Sequence, residues 1–156
     1  MAQPTGSGPT GAEPTGTEPT HAETYERGIK MRRTVLGQEH VDRSLAQVSD
    51  FSRPVQELVT EYCWGTIWNR EGLEPKTRSL LNIVMLTALN RSHELGVHIR
   101  GAINNGVTVG EIQEALLQAA IYAGVPAGLE SFRIAERVLT EIGALPSRDA
   151  EGGRDA

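Results

Sequence analysis

PKTRSLLNIVMLTALNRSHELGVHIRGAINNG, residues 75–106, holds a long apolar run followed by an acid and two histidines. From Leu80 to Leu89 nearly every side chain is apolar, so a helix there has no solvent face and is expected to be buried all round. The second half carries Glu94 and His98, four residues apart. On a helix that spacing stacks them on one face, about 40° apart around the axis. An acid beside an imidazole, next to a helix buried on every side, is the constellation in this chain that points to chemistry.

Working outward, Asn90-Arg91-Ser92 separates two helices, and the Glu94/His98 helix is expected to run to Asn105 with Gly106 as its cap. Upstream, Tyr25, Ile29, Met31 and Val35 mark a helix from Glu23 to Leu36, with Gly37 as its stop. A second helix follows from Glu39 to about Val48. Ser52 and Pro54 read as N-cap and first turn of a third, which carries Trp64 and Trp68. Downstream, Thr108-Val109-Gly110-Glu111 is a capping box, and its helix ends at Gly124 before Pro126. The last helix, to Ile142, turns Phe132, Ala135, Val138, Leu139 and Ile142 inward. No stretch alternates with period two over a strand's length, so the fold class is all-α, a compact multi-helix domain.

The helical domain is expected over residues 23–143. Residues 1–22 repeat a Pro-Thr-Gly/Glu pattern with almost nothing apolar, and residues 144–156 are polar and Gly-rich, so both read as disordered tails. The net charge of −5 comes from mixed acidic and basic residues without a basic stripe, which argues against nucleic acid. Neither a secretory signal nor a membrane span is visible, and a cytoplasmic protein is the expectation. A small domain with one helix buried all round implies cover from a second copy, hence a homo-oligomer.

Several chemistries are weighed against these residues. His93 and His98 invite a zinc reading, but a gap of five turns them roughly 140° apart on a helix, and no further Cys/His cluster completes a set. No metal is expected. Cys63 stands alone, without a resolving partner, and reads as a small buried side chain. Glu94/His98 is either an exposed pair worth a few tenths of a kcal/mol or a tuned imidazole at the edge of a half-buried helix. Arg32, Arg33, Arg78 and Arg100 are surface residues by default. Arg78, one turn into the apolar helix, has a stronger need of a carboxylate than most.

The runs MRRTVLG, HVDRS, WGTIWNREGLEPKTRSLL, ELGVHIRGAINNGVT and EIQEALLQAAIYAGVPAG resemble the carboxymuconolactone decarboxylase family, over about Glu23 to Ile142. The wider family includes alkylhydroperoxidase-like proteins with Cys-x-x-Cys-x-x-x-His. If their histidine is His98, the two cysteine positions are Arg91 and Glu94 here, and the relay-glutamate position is Ser79. Peroxide reduction by that route is excluded.

The resemblance implies a ring-like homo-oligomer, commonly a hexamer. It also implies cofactor-independent decarboxylation of γ-carboxymuconolactone, a lactone dicarboxylate, to β-ketoadipate enol-lactone in protocatechuate catabolism. On that reading His98 donates a hydrogen bond and delivers a proton, and Glu94 fixes its tautomer. Arg33 and Arg78 clamp carboxylates, and Trp64 and Tyr122 form the apolar wall. Another lactone or β-keto acid as substrate, or a non-catalytic helical oligomeric binding protein, remain the alternatives.

Overall fold

The computed structural model describes residues 18–146; the two expected tails lie mostly outside these residues. Seven helices follow one another: α1 His21–Leu36, α2 Gln38–Ala46, α3 Arg53–Leu58, α4 Pro75–Ala88, α5 Ser92–Asn104, α6 Val109–Ala123 and α7 Val125–Glu141. α3 continues without a break into a π-helical segment, Val59–Ile67. No strand forms among the described residues.

Local chemistry accounts for most boundaries. Thr108 accepts from the Glu111 amide while the Glu111 carboxylate accepts from the Thr108 amide, the capping box read from the sequence. Thr20 and Glu23 make the same box at α1, so that helix starts two residues before the expected Glu23. Asn90, at φ +53, ends α4 in a left-handed turn that asparagine tolerates. Ser52 is not the side-chain cap expected at α3; its hydroxyl is engaged with Ser49 instead. Past α7, Ala144 and Leu145 pack back on the core, so the ordered domain extends two residues beyond residue 143.

Two apolar cores result. One gathers Ile83 of α4, Leu95 and Ile99 of α5, Ile112 and Leu116 of α6, and Leu139 of α7. Each fully buried aliphatic side chain contributes about 1.5–3 kcal/mol. The other holds Val35, Leu36, Val41, Trp64 and Trp68, where α1 and α2 meet the π-helical segment. α5 lies between the two: Leu95 and Ile99 face the first core, and Val97 packs on the second.

α1 and the π-helical segment touch backbone to backbone. A Cβ on Gly28 would overlap the Thr60 carbonyl oxygen and stand 2.9 Å from the Gly65 nitrogen; one on Gly65 would overlap the Thr24 carbonyl. Arg27 Nε also donates to the Gly65 carbonyl at 2.8 Å.

One expectation fails within the single chain. α4 is not buried all round: Ser79, Ile83 and Thr87 face inward, but Leu81 (46 %), Met85 (51 %) and Leu89 (64 %) are exposed. An unbroken apolar run carries no information about which face meets its own chain. The other six helices and the π-helical segment cover only one side of this one. Ile121 and Leu129, on α6 and α7, are exposed as well.

Candidate active site

At the seam between the two cores lies a cavity of about 440 Å³, bordered by Arg32 and Leu36 of α1, His40 and Ser44 of α2, and Glu94 and His98 of α5. The larger cavity beside α7, of about 620 Å³ and lined by Arg133, Glu136 and Arg137, holds none of the expected site residues.

His98 is packed against both tryptophans. Its ring lies parallel to Trp64, 4° between planes with centroids 6.2 Å apart, and 6.5 Å from Trp68. The tryptophans stack on each other at 4.9 Å. They belong to or immediately follow the π-helical segment, whose wider turn is closed by Trp68 N donating to the Cys63 carbonyl at 2.9 Å.

The Asn82 amide nitrogen on α4 lies 3.4 Å from His98 Nδ1. An amide nitrogen only donates, so in this arrangement Nδ1 accepts and the imidazole proton sits on Nε2. Burial pushes the His98 pKa down, and the charge of Glu94 opposes that shift. The ring is therefore held neutral, with its N–H as a donor.

Glu94 does border the cavity with His98, as the spacing implied, but it is exposed and makes no hydrogen bond to the ring. The group on Nδ1 is Asn82, which no pattern in the chain singles out: an asparagine inside an apolar run reads as an interruption. His93 borders the same cavity from an exposed position. Among the described residues, no group of three His, Cys, Asp or Glu side chains is arranged to hold a metal ion. Cys63 is half-buried, and burial raises its thiol pKa.

The arginine in the cavity is Arg32, only 8 % exposed. It donates to Gln56 Oε1 at 3.1 Å, Thr60 Oγ1 at 3.4 Å and Ser44 Oγ at 3.5 Å, all neutral groups. Its Nε is buried without a partner. Desolvation lowers its pKa, but a guanidinium stays charged at any physiological pH. A buried cation with neutral partners and a vacant N–H is poised for an anion.

Three expected residues lie elsewhere. Arg33, the next residue after Arg32, is turned about 100° around α1. There its guanidinium pairs with Asp42 at 2.7 Å on the outer surface. Arg78 donates to the Arg70 carbonyl at 2.9 Å and does not border the cavity. Tyr122, at the exposed end of α6, is 83 % exposed. Trp64 stacks on the His98 ring and does not itself border the cavity. The packing of α1, and not its apolar pattern, separates the two arginines: Arg32 falls on the stripe Thr24, Gly28, Arg32, Val35 that α1 buries, whereas Arg33 does not.

Comparison with known proteins adds to this geometry. The family model described as the carboxymuconolactone decarboxylase family matches residues 53–137. Over 122 residues, 78 % of this chain and 85 % of the relative, the chain is 45 % identical to nitrosuccinic acid decarboxylase npaB of Metarhizium robertsii. Over 126 residues, 81 % of this chain and 94 % of the relative, it is 40 % identical to 4-carboxymuconolactone decarboxylase of Acinetobacter baylyi.

Proposed function

The chain belongs to the carboxymuconolactone decarboxylase family, and on that premise we propose that it removes carbon dioxide, without a cofactor, from a small dicarboxylate that serves as its own electron sink. The first reading is γ-carboxymuconolactone, converted to β-ketoadipate enol-lactone in protocatechuate catabolism. Loss of carbon dioxide there leaves a dienolate with its charge largely on the lactone carbonyl oxygen. The second is nitrosuccinate, favoured by the higher identity to a nitrosuccinic acid decarboxylase. If the carboxylate on the nitro-bearing carbon departs, the charge moves to the nitro oxygens. Both substrates carry two carboxylates and both develop an oxyanion, so one site chemistry serves either.

The observation that carries this reading is Arg32: a buried guanidinium without a carboxylate, bordering one cavity with His98. In the mechanism it holds a substrate carboxylate through charge-assisted hydrogen bonds. His98 Nε2–H donates to the developing oxyanion in surroundings dried by Trp64 and Trp68, where such a bond is stronger than in water. Once carbon dioxide has left, the imidazole passes its Nε2 proton to the product carbon and takes another from water at the same nitrogen, so the ring is neutral before and after and Nδ1 keeps its bond from Asn82. Glu94 acts through charge, and Asn82 holds the tautomer.

The exposed row Leu81, Met85 and Leu89 is assigned to contact with another copy of the chain, as a homo-oligomer requires.

The test is release of carbon dioxide by the full chain, after chelator treatment, from γ-carboxymuconolactone and from nitrosuccinate. The substrate with the higher kcat/KM identifies the reaction. Release from neither rejects the proposal.

A further inference from the structure

His40, near the start of α2, has no part in the scheme above, yet it borders three cavities at once: the site cavity and two neighbours of about 390 and 650 Å³. Titratable and charged groups face it from four of the elements that border these cavities, and α3 brings only the neutral Gln56. α1 contributes Arg32, α2 its own Arg43, and α5 both His93 and Arg100. α7 contributes Arg137 and Glu141. The nearby carboxylates are largely committed: Glu39 pairs with Arg43 at 2.6 Å, and Glu141 with Arg100 at 3.2 Å. Glu94, at the His98 side, is the acid without an ion pair, and Arg32 has none either. With no substrate, burial and then the surrounding cations keep the His40 ring neutral.

Two negative charges entering this basin reverse the balance around that ring. Resting on the decarboxylase reading for the choice of a dianion, we propose that His40 is a specificity residue that takes up a proton when a dicarboxylate enters the cavity and then pairs with its second negative charge. The site would thereby distinguish dianions from monoanions: one carboxylate satisfies Arg32 alone, and the second is needed to charge His40. His98 would not respond in the same way. Its neutrality comes first from burial, in a position backed by the two tryptophans, and a bound substrate does not rehydrate it.

The experiment is calorimetric titration of the full chain at pH 7 with succinate, a dianion lacking an electron sink, and with propionate. Buffers of different ionisation enthalpy report the protons exchanged. Succinate is expected to bring in about half a proton or more, and propionate close to none. In His40→Gln the uptake disappears and succinate binds about tenfold more weakly, while propionate changes by less than about twofold. Uptake that survives in His40→Gln overturns the proposal, as does succinate binding without uptake or no preference for succinate over propionate. Should His40→Gln not fold, a titration of the histidine ring resonances of the unmodified chain decides. The His40 pKa must rise on saturation with succinate, and no rise overturns the proposal. Neither readout involves turnover, so a chain that takes up the proton but releases no carbon dioxide refutes the decarboxylase reading alone.

Discussion

Replacing Arg32 by methionine separates the two things a buried arginine can do. The substitution keeps most of the stem's volume and removes the charge. It forfeits three hydrogen bonds, two of them at the outer limit of 3.4–3.5 Å. A bond from a charged donor is worth about 1.5–3 kcal/mol, and only the one to Gln56 at 3.1 Å is of ordinary length, so the loss is about 3 kcal/mol. Against it stands the desolvation of a guanidinium with no acidic partner, several kcal/mol for a buried ion. The stability of Arg32→Met, read from the urea midpoint, should therefore equal or exceed that of the unmodified chain. Catalysis should fall steeply. Losing one partner of a buried, hydrogen-bonded charge pair costs about 2–5 kcal/mol, which at about 1.4 kcal/mol per decade is about 30- to 5000-fold in kcat/KM. A variant that unfolds more easily by more than about 3 kcal/mol, yet turns over substrate with unchanged kcat/KM, would show that Arg32 only braces α1 against its neighbours and does not hold the substrate.

Asn82→Ala removes the group on His98 Nδ1; nitrogen NMR of the ring should show a mixture of tautomers and kcat should drop about tenfold, whereas an unchanged spectrum would deny Asn82 its role. Gly28→Ala pushes a methyl group into the Thr60 carbonyl and toward the Gly65 nitrogen at 2.9 Å, so α1 must shift; a loss of about 1–3 kcal/mol or more in thermal or urea unfolding is expected, and native stability would contradict the backbone contact. Both His40 and His98 have folded pKa values below their ordinary 6.5. The unfolded chain thus binds protons more tightly, and stability is complete above about 6.5 and declines as pH falls through that value toward the folded ones. Urea midpoints at pH 8 and pH 5.5 check the direction, and a flat profile between them counts against the buried, neutral rings.

The fold was largely legible because its punctuation is chemical. The capping box at Thr108 and Glu111, the stop at Gly124 and the inward stripe of α7 each follow from local rules that tertiary contacts reinforce here. The π-helical turn was not legible. Periodicity over Val59–Ile67 suits an ordinary helix, and the close approach of Gly28 to Thr60 and Gly65 involves residues far apart in the chain. Spacing was enough to bring Glu94 and His98 to one cavity, because a single helix carries both. It could not say which arginine joins them, since that depends on the rotation of α1 against α2 and the π-helical segment. The difference between Arg32 and Arg33 is one residue and about 100° of helix. Asn82 and His40 reach the cavity from other helices, and no pattern within their own segments points to it.

Decarboxylation at this site depends above all on one neutral, dry imidazole stabilising the charge left behind by carbon dioxide. Its most direct test is steady-state turnover of His98→Ala, folded by circular dichroism, on whichever of the two dicarboxylates the unmodified chain decarboxylates. Loss of a positioned donor and acid predicts a fall in kcat of about 100-fold or more. A folded His98→Ala chain with turnover near that of the unmodified protein would contradict it.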